Sequence, residues 1–121
     1  MLTMEENGAE DFVTIRASGV LRAEDFRDFV PSYEAVAARR GPLRICLALT
    51  ELERIEPMAF WEDLKFGVAH KDSYERIAVV GDRTWQEWSI RLSRPFFRAP
   101  MRFFTPAKRD EAEAWLGASL H

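Results

Sequence analysis

Apolar positions change period several times along the chain, and those changes divide it into elements. Leu2–Glu6 and Phe12–Ala17 alternate loosely and flank Asn7-Gly8, a pair that favours a turn with positive φ, so a β-hairpin is predicted at the start. After Ser18-Gly19 the period lengthens. Phe26, Phe29, Val30, Tyr33 and Ala37 recur at spacings of three and four, one stripe of a helix running from about Ala23 to Arg39. Pro31 falls inside that helix and removes a backbone donor, which predicts a kink or an irregular first half. Gly41-Pro42 ends it, and Leu43–Leu49 follows as a nearly unbroken apolar run, the pattern of a strand covered on both faces.

Glu56-Pro57 opens a second helix, because proline at the first helical position loses no hydrogen bond and the acid meets the positive end of the helix dipole. Its stripe is Phe60, Trp61, Leu64 and Val68. Arg76–Val80 reads as a second buried strand closed by Gly81, with Asp82 as N-cap of a helix carrying Trp85, Trp88 and Leu92. Met101–Phe104 is a last short strand, and Thr105-Pro106 starts a helix with Ala112, Trp115 and Leu116. The order is ββαβαβαβα. Its three strand-helix-strand units require right-handed parallel crossovers, so the class is α/β: a mixed, mostly parallel sheet of about five strands, an N-terminal antiparallel hairpin and covering helices.

Composition sets bounds on this picture. With 121 residues, 47% of them apolar, the chain reads as one domain spanning 1–121, large enough to hide roughly two-thirds of its unfolded surface without a disulfide or metal. No apolar run approaches the roughly 18 to 20 residues of a bilayer span, so integral membrane association is not expected. Glu5, Glu6, Glu10 and Asp11 occupy the region where a secretory signal would be basic and then apolar, which makes the cytoplasm the expected compartment. Cys46 is the single cysteine and excludes an intramolecular disulfide. The net charge is −3, yet residues 83–109 carry seven bases against the single acid Glu87.

Little in the inventory points to catalysis. His70 is the only internal histidine and stands where the second helix gives way to a loop, a position suited to capping the helix's negative end. Without a second histidine or a cysteine at ligand spacing, no metal site is predicted. The serines lack a Gly-x-Ser-x-Gly setting, and Cys46 lies in the most apolar strand, where burial keeps a thiol inert. No dinucleotide or phosphate-loop fingerprint appears, so no cofactor is assigned. Glu62 and Asp63 are adjacent on a helix, point apart, and read as a solvated face. No catalytic residue is assigned, and an enzyme is not expected.

Two constellations remain. Residues 91–104 interleave arginines with aromatics, a pattern that suits an anion or lipid headgroup, or else solvated arginines over a strand holding Phe103 and Phe104 with Phe96 or Phe97 plugging the core. Nucleic acid is not an expected partner, because the domain is acidic and carries no recognised binding motif. Trp85 follows the Gly81-Asp82 strand end, the edge where open α/β sheets bind ligands, and is the best single contact candidate.

Phe60–Phe66 with His70 downstream, Arg76–Asp82 with Trp85, Met101–Phe104, and Glu111–Leu116 together resemble the SpoIIAA-like family. That family is grouped with the STAS (sulfate transporter and anti-sigma factor antagonist) domains, and its fold is likened to CRAL-TRIO lipid-binding domains. The resemblance spans nearly the whole chain and implies a small non-enzymatic α/β domain that binds a partner protein or an apolar ligand. Anti-sigma antagonists carry a phosphorylatable serine after an aspartate in the loop before the second helix. The corresponding stretch here, Thr50–Pro57, has neither residue. Thr50 is its sole hydroxyl, and a phosphate of about −1.5 to −2 charges would be repelled by Glu51 and Glu53.

The leading expectation is a module that recognises an unidentified partner protein through loops at the strand C-termini, using Thr50, Glu51, Glu53, Glu56, Asp82 and Trp85. The alternative is a carrier or sensor of a lipid or other amphipathic molecule, with an aromatic cavity near Phe66, Trp88, Phe96 and Phe97 and an anion contact from Arg94 or Arg98. Four tryptophans and nine phenylalanines in so short a chain also make an exposed apolar patch, and hence a homodimer, an expectation.

Overall fold

The structure, a computed structural model, describes residues 1–6 and 12–117. The elements are β1 (Leu2–Glu6), β2 (Val13–Leu21), α1 (Ala23–Arg40), β3 (Leu43–Ile55), α2 (Pro57–Ala69), β4 (Tyr74–Val80), α3 (Thr84–Ser93), β5 (Met101–Phe104) and α4 (Arg109–Gly117), with 3₁₀ turns at Arg94–Phe96 and Pro106–Lys108. The strands lie side by side in the order β1-β2-β3-β4-β5. β1 runs antiparallel to β2 and every later pairing is parallel, the predicted α/β arrangement. The predicted Asn7-Gly8 turn lies outside the described residues.

When strands sit in chain order, right-handed crossovers place the three connecting helices on one face of the sheet. Residues of α1–α3 accordingly share a core with Ile15, Ala17, Ile45, Ile77 and Met101. Side chains of the opposite parity, Cys46, Ala78, Val80 and Phe104, meet Ala112 and Leu116 of α4 instead. Arginines on this second face serve α4: Arg76 donates to the carbonyl of Trp115, and Arg44 donates to that of Leu116 at 2.6 Å. These carbonyls belong to the last turn of the helix, where no intrahelical donor is available and positive charge is favoured.

Several boundaries differ from the periodicity. β3 does not end at Leu49: it continues to Ile55 alongside β2, whose own end moves from Ala17 to Leu21. Leu52 is buried and Ile55 packs on the core, while Glu51, Glu53 and Arg54 face out, so the strand keeps an inward side where acids suggested a loop, its alternation interrupted at Glu53 where the register shifts. The two strands shift register between Gly19 and Val20, and Gly19 adopts φ 64°, so the glycine bends the pair where an ordinary side chain would be strained. α1 is continuous across Pro31, because the proline and Arg27, whose carbonyl loses its donor, are both exposed and water can satisfy the group.

Two helices are rotated relative to their predicted stripes. In α2, Trp61 and Val68 are 52% and 56% exposed, and the helix buries Ala59, Leu64 and Gly67. A Cβ on Gly67 would lie 2.8 Å from the carbonyl oxygen of Phe96, so the glycine lets the Arg94–Phe96 turn close onto the helix. In α3, Trp88 and Leu92 are 57% and 59% exposed, while Gln86, Ile90 and Ser93 face in.

Candidate functional site

The inner face of the sheet and α1–α3 do not fill the space between them. A cavity of about 110 Å³ remains, walled by Ile15 and Ala17 of β2, Leu47 and Leu49 of β3, Phe26 and Phe29 of α1, Phe60 and Phe66 of α2, and Trp85 and Ile90 of α3. Tyr74, Phe97 and Met101 line it from the β4 and β5 side.

Among the described residues one charged side chain lines this apolar chamber: Asp63, on the inward side of α2 between Phe60 and Phe66. Burial pushes its carboxyl up from 3.8 to about 7, because its apolar surroundings leave the anion poorly solvated. The reading of Asp63 as a solvated side chain is therefore corrected. Its neighbour Glu62 does turn outward, pairing with Lys65 at 3.0 Å. The rotation of α2 decides this, since the backbone approach permitted by Gly67 sets which residues face the sheet.

The hydroxyl protons in the wall are already committed. Tyr74 donates its hydroxyl to the carbonyl of Gly67 at 2.7 Å and accepts the Arg98 N–H at 3.2 Å. Ser89 donates to the Trp85 carbonyl at 2.9 Å, and Ser93 to the Ile90 carbonyl at 3.0 Å. Asp63 has no hydrogen bond or ion pair to any described residue.

A second polar group, missed in the sequence, fixes the cavity's edge. Gln86 is wholly buried, and its Oε1 accepts the N–H groups of Asp82 and Arg83 at 3.1 and 3.3 Å. Its Nε2 donates to the Leu49 carbonyl at 2.8 Å and reaches that of Leu52 at 3.4 Å. Asp82 is therefore not the cap of α3. The helix starts one residue later than predicted, with Arg83 as N-cap, and the glutamine three residues on reaches back to it. Gly81 makes room, since a Cβ there would stand 2.6 Å from the Gln86 Oε1.

The predicted site residues separate into groups. Phe66, Phe97 and Trp85 come together in the cavity wall, the last of them half-buried there although it was expected on a rim. Trp88 and Phe96 are exposed and lie outside the cavity wall. Arg94 lines an outer polar depression with Arg91 and Arg102, and Arg98 extends outward 3.9 Å from Asp72, so neither guanidinium reaches the chamber. Thr50, Glu51 and Glu53 stand exposed on the β3 extension instead of in a loop. Glu56 is the N-cap of α2, 3.8 Å from Arg22, and Asp82 is exposed beside α3. His70 is the C-cap of α2, stacked on Phe66 with ring centroids 4.3 Å apart, its Nε2 3.4 Å from Glu34.

Fold and chamber together define a small α/β domain with an apolar cavity between its sheet and helices, in which, among the described residues, no three His, Cys, Asp or Glu side chains are grouped to hold a metal. The chain belongs to the SpoIIAA-like family, whose model matches residues 12–117. It is similar to an uncharacterized protein with a SpoIIAA-like fold from Shewanella loihica PV-4, known from a crystal structure at 2.25 Å resolution: identity is 30%, the match covers 96% of this chain and 92% of the other, and the TM-score is 0.76. No curated protein matches the chain. SpoIIAA-like domains of the STAS type are generally non-catalytic. No helix among the described residues is long and apolar enough to cross a membrane.

Proposed function

We propose that this domain is a carrier or sensor of a small, predominantly apolar molecule held between the sheet and α1–α3. The observation that supports this reading is the chamber itself, an apolar volume left unfilled between the sheet and α1–α3, where protein interiors are ordinarily close-packed. Its size narrows the ligand. A cavity of roughly 150 Å³ lined by leucine, isoleucine and phenylalanine takes up benzene, so about 110 Å³ suits a single ring or a short chain.

Ala17 offers the test, being 2% exposed and part of the wall. Ala17→Leu directs three further carbons into empty space, so it should block uptake of toluene or indole while the melting temperature stays level or rises by a few degrees, equivalent to about 1 kcal/mol. Ligand-observed NMR with the two probes measures uptake, and calorimetry measures stability. Equal uptake by wild type and variant, or none by the wild type, would count against the chamber as a binding site.

A second reading draws on the outer face of α2. Met58, Trp61 and Val68 share one exposed side of that helix, each more than half exposed, which suits docking on another protein surface. The partner considered is a second copy of this chain. Sedimentation at high concentration should then give a mass above 14.0 kDa, reduced to the monomer by Trp61→Ser. A monomer at every concentration would exclude self-association.

A further inference from the structure

Building on the chamber as a binding site, we infer that its ligand carries a protonated amine, presented to the carboxyl of Asp63. Tyr74, Ser89 and Ser93, the hydroxyls lining it, all spend their protons on backbone carbonyls. Among the described residues of the wall the indole N–H of Trp85 also has no partner, but Asp63 is the one side chain that carries a charge, and as a carboxylate it can only accept.

Among the described residues no lining side chain balances that charge. α1 contributes Phe26 and Phe29, the strands contribute aliphatic side chains and Tyr74, and the adjacent basic residue of α2, Lys65, is turned out to Glu62. Desolvation is the sole cause of the carboxyl's shift, as expected when no cation stands close. A hydrocarbon leaves this cost in place and a carboxylate ligand adds a second anion. An ammonium group removes it through a charge-assisted hydrogen bond while its ring or chain fills the apolar remainder. The chamber is therefore chemically incomplete in one respect, and an apolar amine completes it.

Four probes of nearly equal shape separate the possibilities: toluene, benzyl alcohol, benzylamine and benzoate, titrated at pH 8 into the wild type and Asp63→Asn with binding followed by NMR. Benzylamine should bind about tenfold or more tightly than toluene, with benzyl alcohol between and benzoate weakest. Asp63→Asn should erase the benzylamine preference, leaving benzylamine and toluene bound within about threefold of each other, and a cooperative urea transition shows that the variant is folded. Lowering the pH from 8 to 5.5 should weaken benzylamine in the wild type and leave toluene unchanged, because Asp63 gains a proton while the amine keeps its own. Toluene uptake without a benzylamine preference, or a preference that survives Asp63→Asn, overturns the inference and leaves the chamber reading standing. Failure of all four probes overturns both.

Discussion

Gln86→Leu is expected to lower the stability of the fold by about 4 kcal/mol, with a fall in melting temperature of roughly 10 to 20 °C. Leucine occupies nearly the same volume, so the loss would come from the groups it abandons. Two backbone donors, at Asp82 and Arg83, and the carbonyl of Leu49 each lose a hydrogen bond, and that of Leu52 loses a longer one. A buried polar group left without a partner costs about 1 to 3 kcal/mol, and Gln86 itself has no exposed surface through which water could enter. The consequence extends beyond the helix start. Gln86 ties the first turn of α3 to the section of β3 that outruns β4, so its removal frees the end of the chamber where Trp85 stands. Urea unfolding of wild type and variant measures the difference, and a change below about 1 kcal/mol would mean that the backbone re-pairs without the glutamine.

Much of the architecture was legible because period and burial agree. The stripe Phe26, Phe29 and Tyr33 is the buried face of α1, and the runs around Ile45 and Ile77 are the central strands. The departures arise where a residue's fate depends on a distant segment. β3 outlasts Leu49 because β2 bends at Gly19 to follow it, a pairing of segments about 30 residues apart that no local pattern encodes. In α2, two stripes compete. The pattern with Trp61 and Val68 is the more hydrophobic, but the small Ala59 and Gly67 allow close approach on the other side, and Asp63 goes inward with them. An acid between Phe60 and Phe66 at helical spacing was the available sign of an inward carboxyl, and the spacing from Arg83 to Gln86 was the sign of the clip. The predicted aromatic contacts divided for the same reason: Phe66 and Phe97 close the chamber, whereas the side of α3 that bears Trp88 is turned away once Gln86 holds the opposite side to β3.

Asp63→Leu should stabilise the domain, and by an amount that grows with pH. An unfolded aspartate releases its proton near 3.8, whereas the folded protein holds the Asp63 proton up to about 7. Between those values the native state binds one proton more than the unfolded chain, so stability falls as pH rises, by up to about 1.4 kcal/mol per pH unit. Well below pH 3.8 both states are protonated, and well above pH 7 both are ionised, so the wild type pays its full desolvation cost only on the alkaline side. The whole interval corresponds to an upper bound of about 4 kcal/mol, and because part of Asp63 remains open to the cavity, about 2 to 3 kcal/mol is the expected difference. Leucine carries no proton, so subtracting the two stability curves cancels every other titrating group, including Glu6, whose carboxyl the neighbouring Arg39 holds below its usual range. Unfolding in urea at pH 4, 5.5 and 8 should give a gap that widens through the middle of that span and levels off above neutrality. A gap that stays constant would place the Asp63 carboxylate in contact with water, and the chamber would then have no unmet charge for a cationic ligand to answer.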